Sequence, residues 1–269
     1  ERLSLAELAD FVDYSPVGTA MYHMRNEGWT PDTHFLALLY DDLTPAEIAA
    51  WGVQCWYDME DAGNLGLDNH STNHLTNNNG VAFAVGKVGN AADSDYDVVS
   101  YLSSTNAGFS LTNTSFTLAA WVKAESFHPN RQYVFNKLDT VAGATGYALR
   151  VDSTSGTAKL QFLVGNGGIT TLDHPTTPLV GTWYFLCARF DLSTQLMHLR
   201  VNATDATPLS HPHGLGNDSG ITFTMGSWNG GDFSWDGLID EAALWSRALS
   251  DSEVTTLYND GTGRTWPLP

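Results

Sequence analysis

Carboxylates and tryptophans are the residues of this chain best placed to do chemistry. Asp93, Asp95 and Asp97 alternate as Asp-x-Asp-x-Asp and offer the hard oxygens that Ca²⁺ prefers. They do not open an EF-hand loop, because Val98 stands where glycine is needed and Ser104 where a bidentate glutamate is needed. Asp58, Glu60 and Asp61, and the pair Asp240-Glu241, come nearest to the two carboxylates of a glycoside hydrolase. Adjacent residues of a strand point to opposite faces, so neither Glu60 with Asp61 nor Asp240 with Glu241 is expected to cooperate. Trp228 and Trp235 flank a Gly230-Gly231 turn, and with Asn229 and Asp232 they form the candidate ligand-binding set. An aromatic face beside polar loop groups can stack and orient a ligand. His211 and His213 flank Pro212 and read as solvated turn residues, with no third ligand in view for a metal. The signatures of zincins, of serine hydrolases and of phosphate-binding loops are missing.

These side chains must be held by elements that the patterning makes legible. From Val53 onward the chain alternates apolar and polar residues between clusters of Gly, Asn, Asp, Ser and Thr. Tyr147, Leu149 and Val151 alternate with Arg150 and Asp152, and Leu160, Phe162 and Val164 alternate with Lys159 and Gln161. About a dozen short strands without crossover helices between them predict an all-β, two-sheet antiparallel sandwich. The runs Phe116–Val122 and Tyr184–Phe190 are apolar on both faces and read as central strands covered on each side. Trp121, Trp183 and Trp245 fall in such runs and are expected in the core. Ser250, followed three residues later by Glu253, is a capping box for a short C-terminal helix, which Asn259-Asp260-Gly261 ends.

Residues 1–52 differ in character. Ser15-Pro16, Thr30-Pro31 and Thr44-Pro45 each place a capping hydroxyl before a proline, which predicts roughly three or four short helices. Their apolar residues, among them Phe11, Met24, Phe35 and Trp51, exceed what so small a unit hides alone. The segment is therefore expected to dock on the sandwich or in an assembly, leaving 53–269 as the sandwich domain.

Composition excludes several functions. The 269 residues include 42% hydrophobic and 12% aromatic ones, which marks a globular chain, and no apolar run is long enough to span a membrane. Thirty acidic residues against twelve basic ones give a formal charge of −18, which disfavours nucleic acid and anionic membrane surfaces as partners. Such acidity keeps a secreted or surface-displayed protein soluble. The first residues carry no basic stretch followed by an apolar run, so the compartment is inferred without an export signal. Cys55 and Cys187 are the two cysteines, and they are either a bridge or two buried thiols.

The C-terminal stretch carries a resemblance. Asp236, Gly237, Ile239, Asp240, Glu241, Trp245, Arg247, Leu249, Ser250 and Glu253 match the ending "DG-x-IDE-x-x-x-W-x-R-x-L-S-x-x-E" of laminin G-like jelly rolls in the concanavalin A-like lectin and glucanase superfamily. Cys55–Gly63, Phe116–Val122 and Gly181–Phe185 resemble the same family in the same order, so the resemblance covers about residues 54–266. It implies a jelly roll. It also implies a structural Ca²⁺ at the sandwich rim with Asp93, Asp95 and Asp240 as candidate ligands, although Ala92–Asp97 lacks the phenylalanine and glycine of the family's "F-D-G-x-D-D-Y". The β-glucan-cleaving members use Glu-x-Asp-x-x-Glu or a close variant, and that spacing does not occur here. The expected function is thus a non-catalytic binding or adhesion module for glycans or surface proteins, extracellular or on a cell or virion surface. Alternatives are a structural or decoration subunit of an extracellular assembly or virion docked and self-associated through residues 1–52, and, third, a glycan hydrolase or lyase.

Overall fold

The computed structural model describes residues 51–140, 143–266 and 268. The helices expected before residue 51 lie outside the described residues, as does the docking role assigned to them.

The described chain is built from sixteen strands and one α-helix. In order these are β1 (Val53–Tyr57), β2 (Thr76–Asn78), β3 (Ala82–Val85), β4 (Asn90–Ser94), β5 (Tyr101–Ser104), β6 (Phe116–Ala124), β7 (Arg131–Asp139) and β8 (Thr145–Asp152). There follow β9 (Lys159–Gly165), β10 (Ile169–Asp173), β11 (Trp183–Asp191), β12 (Leu196–Val201), β13 (Thr204–Asp205), β14 (Leu209–Ser210), β15 (Phe223–Met225), β16 (Gly237–Trp245) and α1 (Asp251–Tyr258). The surplus over a dozen consists of pieces of two or three residues; β2, β13 and β14 are too short to show a period in sequence, whereas the alternation of Ile221, Phe223 and Met225 with threonines does mark β15.

The strands form two antiparallel sheets. The first runs β13-β12-β11-β6-β16-β4-β3, with β1 also on β16 and β14 on β12; the second runs β10-β9-β8-β7-β15-β5-β2. Between them lies the main core, where Phe116, Tyr147, Phe162 and Phe190 meet with ring centroids 5.0 to 6.0 Å apart. The first sheet is buried on its outer face as well, which is why β6 and β11 are apolar on both sides. There Trp56, Trp121, Trp245 and Phe185 pack beneath α1 and the residues after it, with Trp183 only partly buried at the margin.

The lid over this second core follows from local chemistry. Glu253 N donates to Ser250 Oγ at 3.3 Å and Ser250 N donates to Glu253 Oε2 at 2.8 Å, so both halves of the capping box form. Arg247 grips Glu253 through both terminal nitrogens at 2.9 and 2.6 Å. The helix buries Val254 and Leu257, each contributing about 2 kcal/mol of apolar burial. It ends where Asn259 takes a left-handed φ of 47°.

Cys55 belongs to the core between the sheets and Cys187 to the core beneath α1. Both are free thiols, and burial pushes the Cys187 thiol up to about 12.

Candidate ligand-binding cleft

Among the described residues, no helix covers the outer face of the second sheet in the way α1 covers the first. Register sets what this face carries. Arg131, Asp152 and Lys159 form one row, and Tyr133, Arg150, Gln161 and Asp173 the next. Asn136, Ala148, Leu163 and Thr171 follow, then Leu138, Gly146, Gly165 and Ile169. A bulge in β7 makes these rows possible. Two residues of β7 advance against one of β8 between Tyr133 and Phe135, so Val134 and Phe135 both enter the core while Tyr133 and Leu138 both face out.

This face holds a cleft of about 260 Å³, lined by Tyr133, Arg150, Leu163, Thr171, Trp228 and Phe233 among others. Three rings flank it. Phe233 lies 5.7 Å from Trp228 and 6.4 Å from Tyr133, measured between centroids. Trp228 and Phe233 are held there because Trp228 N donates to Asp232 O at 2.7 Å, Trp228 Nε1 to Leu138 O at 3.3 Å, and Tyr133 N to Phe233 O at 3.1 Å. The turn between them needs φ of 85° at Gly230 and 137° at Gly231, which suits glycine at both positions.

One wall is cationic. Arg150 is 8% exposed and uses all three guanidinium nitrogens: Nε to Gln161 Oε1 at 2.8 Å, Nη1 to the Tyr133 hydroxyl at 2.7 Å and Nη2 to Asp152 Oδ2 at 3.2 Å. Arg131 Nε reaches the same Asp152 oxygen at 3.3 Å. Partial burial opposes ionisation of Asp152, but hydrogen bonds from Thr154 and the two guanidinium groups outweigh it and hold the carboxyl below its usual range. Among the described residues, no aspartate or glutamate lines the cleft itself.

Of the residues singled out by sequence, Trp228 lines this cleft, and Asn229 and Asp232 are exposed on its rim loop. Trp235 is a correction. It is 1% exposed, because its amide donates to Gly226 O at 2.8 Å and draws the chain between the sheets, so its ring is core and presents no face to a ligand. His211, read as a solvated turn residue, is also buried, with Nδ1 2.8 Å from Thr170 Oγ1. Tyr133, Arg131, Arg150 and Phe233 were missed as site residues. The alternation in β8 had marked Arg150 and Asp152 as outward-facing, but only the alignment of four strands makes a site of them.

The calcium ligand set does not fit. Asp95 Oδ1 is taken by the amides of Asp97 and Val98 at 2.7 and 3.2 Å, and Asp240 Oδ2 by those of Lys87 and Val88 at 2.7 and 2.9 Å. Asp93 lies half-buried near Glu125 and Asp236, with its pKa raised first by burial and then by those carboxylates. Among the described residues no group of three or more His, Cys, Asp or Glu gathers to hold a metal ion.

The pair Asp240-Glu241 is a second correction. Adjacent residues were expected on opposite faces, but β16 changes partner here, from β4 at Gly237–Ile239 to β1 at Ala242–Trp245, and the junction is a bulge. Three residues of β16 advance against two of β6, and Glu241 takes φ 46°. Both carboxyls therefore turn to the helix-covered face: Asp240 sits opposite Trp121, and Glu241 Oε2 accepts from Trp56 Nε1 at 2.6 Å. Asp240 is 0% and Glu241 4% exposed, and Thr265 stands close enough to the Glu241 carboxyl to favour its charged form only weakly against burial. Burial pushes Asp240 up to about 7; burial, reinforced by the charge of Asp240, pushes Glu241 up to about 9. The pair belongs to the other sheet and does not open on the cleft.

A two-layer antiparallel sandwich whose first sheet is covered by a helix and whose second carries an aromatic cleft defines a lectin-like jelly roll. The chain belongs to the laminin G-like branch of the concanavalin A-like lectin/glucanases superfamily, whose family model matches residues 93–255. A search of curated proteins returned no match. Among solved structures it is similar to domain 4 of AbnA, a GH43 extracellular arabinanase from Geobacillus stearothermophilus, in complex with arabinotriose. The identity is 19% over 79% of this chain and 98% of that one, with a TM-score of 0.61. The binding domain of botulinum neurotoxin DC in complex with SialylT matches at 12% identity, 77% and 51% coverage and a TM-score of 0.56. The binding domain of Paraclostridial Mosquitocidal Protein 1 matches at 16% identity, 72% and 49% coverage and a TM-score of 0.54. At these identities the likeness is one of fold.

Proposed function

We propose that this domain is a non-catalytic glycan-binding module, displayed outside the cell, whose ligand occupies the cleft between Trp228, Phe233 and Tyr133. The observation that carries the reading is the ring cluster itself, in which Phe233 is tilted 46° to Trp228 and 39° to Tyr133 beside the cleft on the second sheet. Apolar faces of sugars stack on such rings, while adjacent hydrogen-bonding groups fix orientation. Two of the fold relatives were solved with saccharide-type ligands, which supports the same use here. Hydrolysis would require two carboxyls at the sugar, and among the described residues the cleft is lined by none.

Binding of a glycan array by the wild type and by Trp228→Ala tests the reading. Loss of one aromatic platform, worth about 1 kcal/mol or more, should weaken every hit about fivefold to tenfold. An unchanged profile would remove the cleft from the site.

A further inference from the structure

The cleft runs against the charge of the chain that builds it. Acidic residues outnumber basic ones thirty to twelve, yet among the described residues the cleft lining holds two arginines and no carboxylate. We infer that the cleft selects saccharides bearing a carboxylate, and that the Arg131 guanidinium receives it. This rests on the glycan-binding reading above and gives it a substrate class.

The two arginines are not equivalent. Arg150 is buried, and its nitrogens are spent on Gln161, Tyr133 and Asp152, so it supplies a fixed charge and holds the wall in place. Arg131 is different. Its side chain is 43% exposed, its only side-chain contact is Nε to Asp152, and no acceptor meets its terminal nitrogens among the described residues. A guanidinium free at both ends of its fork is the geometry that takes a carboxylate in two parallel hydrogen bonds.

Among the described residues of the first two rows of this face, cations outnumber carboxylates. Asp152 faces both guanidinium groups, and Asp173, the next carboxylate along, is tied to Lys159 at 3.2 Å and to Gln161 at 2.8 Å. Three cations thus stand against two carboxylates. Asp139 lies at the far end of β7, and Asp232 is exposed on the rim loop, where water screens it. An incoming carboxylate completes the neutralisation, and the sugar ring behind it reaches Phe233 and Trp228. A neutral sugar gains only the stacking.

The test uses matched pairs: trigalacturonate against its methyl ester, and 3′-sialyllactose against lactose, titrated into the wild type, Arg131→Gln, Arg131→Lys and Trp228→Ala. Each variant is first checked for an unchanged thermal midpoint, which is expected for substitutions of incompletely buried side chains. The wild type should bind at least one acidic member about tenfold or more tightly than its neutral partner. Arg131→Gln should erase that preference while keeping the neutral affinity, and Arg131→Lys should retain part of it. Equal binding of acidic and neutral members that Trp228→Ala still abolishes overturns the acid selectivity and leaves the glycan reading standing. An acid preference that survives Arg131→Gln overturns the assignment to Arg131. Binding of neither pair, with no hit on the array, overturns both.

Discussion

Replacing Glu241 by glutamine should change how stability depends on pH. In the folded chain burial and the charge of Asp240 push this carboxyl up to about 9, against an ordinary value of 4.5. Below 4.5 the group is protonated in folded and unfolded chains alike. Between 4.5 and 9 the unfolded chain releases the proton and the folded chain keeps it, so native stability falls as pH rises, by about 1.4 kcal/mol per pH unit. From pH 5.5 to 8.5 that amounts to at most about 4 kcal/mol, and relaxation of the site reduces it to roughly 2 to 4 kcal/mol. Glutamine keeps an oxygen for Trp56 Nε1 but has no proton to lose. Its amide nitrogen replaces one carboxyl oxygen, which offsets the whole curve without altering its slope. Urea unfolding followed by tryptophan fluorescence, at half-unit steps of pH on wild type and Glu241→Gln, reads the difference directly. The histidines His174, His198 and His211, whose pKa values burial lowers, act in the opposite direction below about 6.5 but are common to both proteins and cancel. Glu253 and Asp251, held low by Arg247 and Arg189, titrate below the window. The wild type should lose ground to the variant steadily as pH rises. Curves that stay parallel within about 0.5 kcal/mol would mean that Glu241 is ionised in the folded state, and the account of the bulge would fail.

Other outcomes follow from the same contacts. Glu253 is held at about 2, first by its hydrogen bonds from Arg247, so the stability it lends is complete above 4.5 and lost as pH falls toward 2; Arg247→Ala should flatten this acid limb of the curve. Ser250→Ala should cost about 1 kcal/mol in urea unfolding, and a cost near zero would show that α1 does not depend on its cap. A thiol reagent should leave Cys55 and Cys187 untouched in the native protein and modify both after unfolding; failure to react after unfolding without reductant would reveal a disulfide. Chelation should leave the thermal midpoint within about 1 °C, and a Ca²⁺-dependent rise would show that acidic side chains converge on an ion after all.

Much of the architecture was legible because its causes are local. A period of two, a serine three residues before a glutamate, and strands apolar on both faces each follow from chemistry within a few residues. The jelly roll, the C-terminal helix and the burial of Trp121 and Trp245 could be read from them. The misreadings occurred where a distant partner decides. Trp228 and Trp235 sit in similar glycine-rich surroundings, yet the carbonyl of Gly226 takes one of them inward. Glu241 reverses its face because β16 exchanges β4 for β1 at that point, and no pattern within β16 announces the exchange. Arg131 and Arg150 lie nineteen residues apart and become neighbours of one carboxylate only through the bulged register of β7 on β8.

The unequal covering of the two sheets has an evolutionary reading. On the side sealed by α1, nearly every outward residue is also somebody else's core, so substitutions there must be compensated and the surface is frozen. On the other sheet, among the described residues, Arg131 and Thr171 are only partly buried and carry little of the fold. Recognition can drift there from one ligand to another while the scaffold keeps its melting behaviour, and a designer who wished to retarget this domain would work on that face alone.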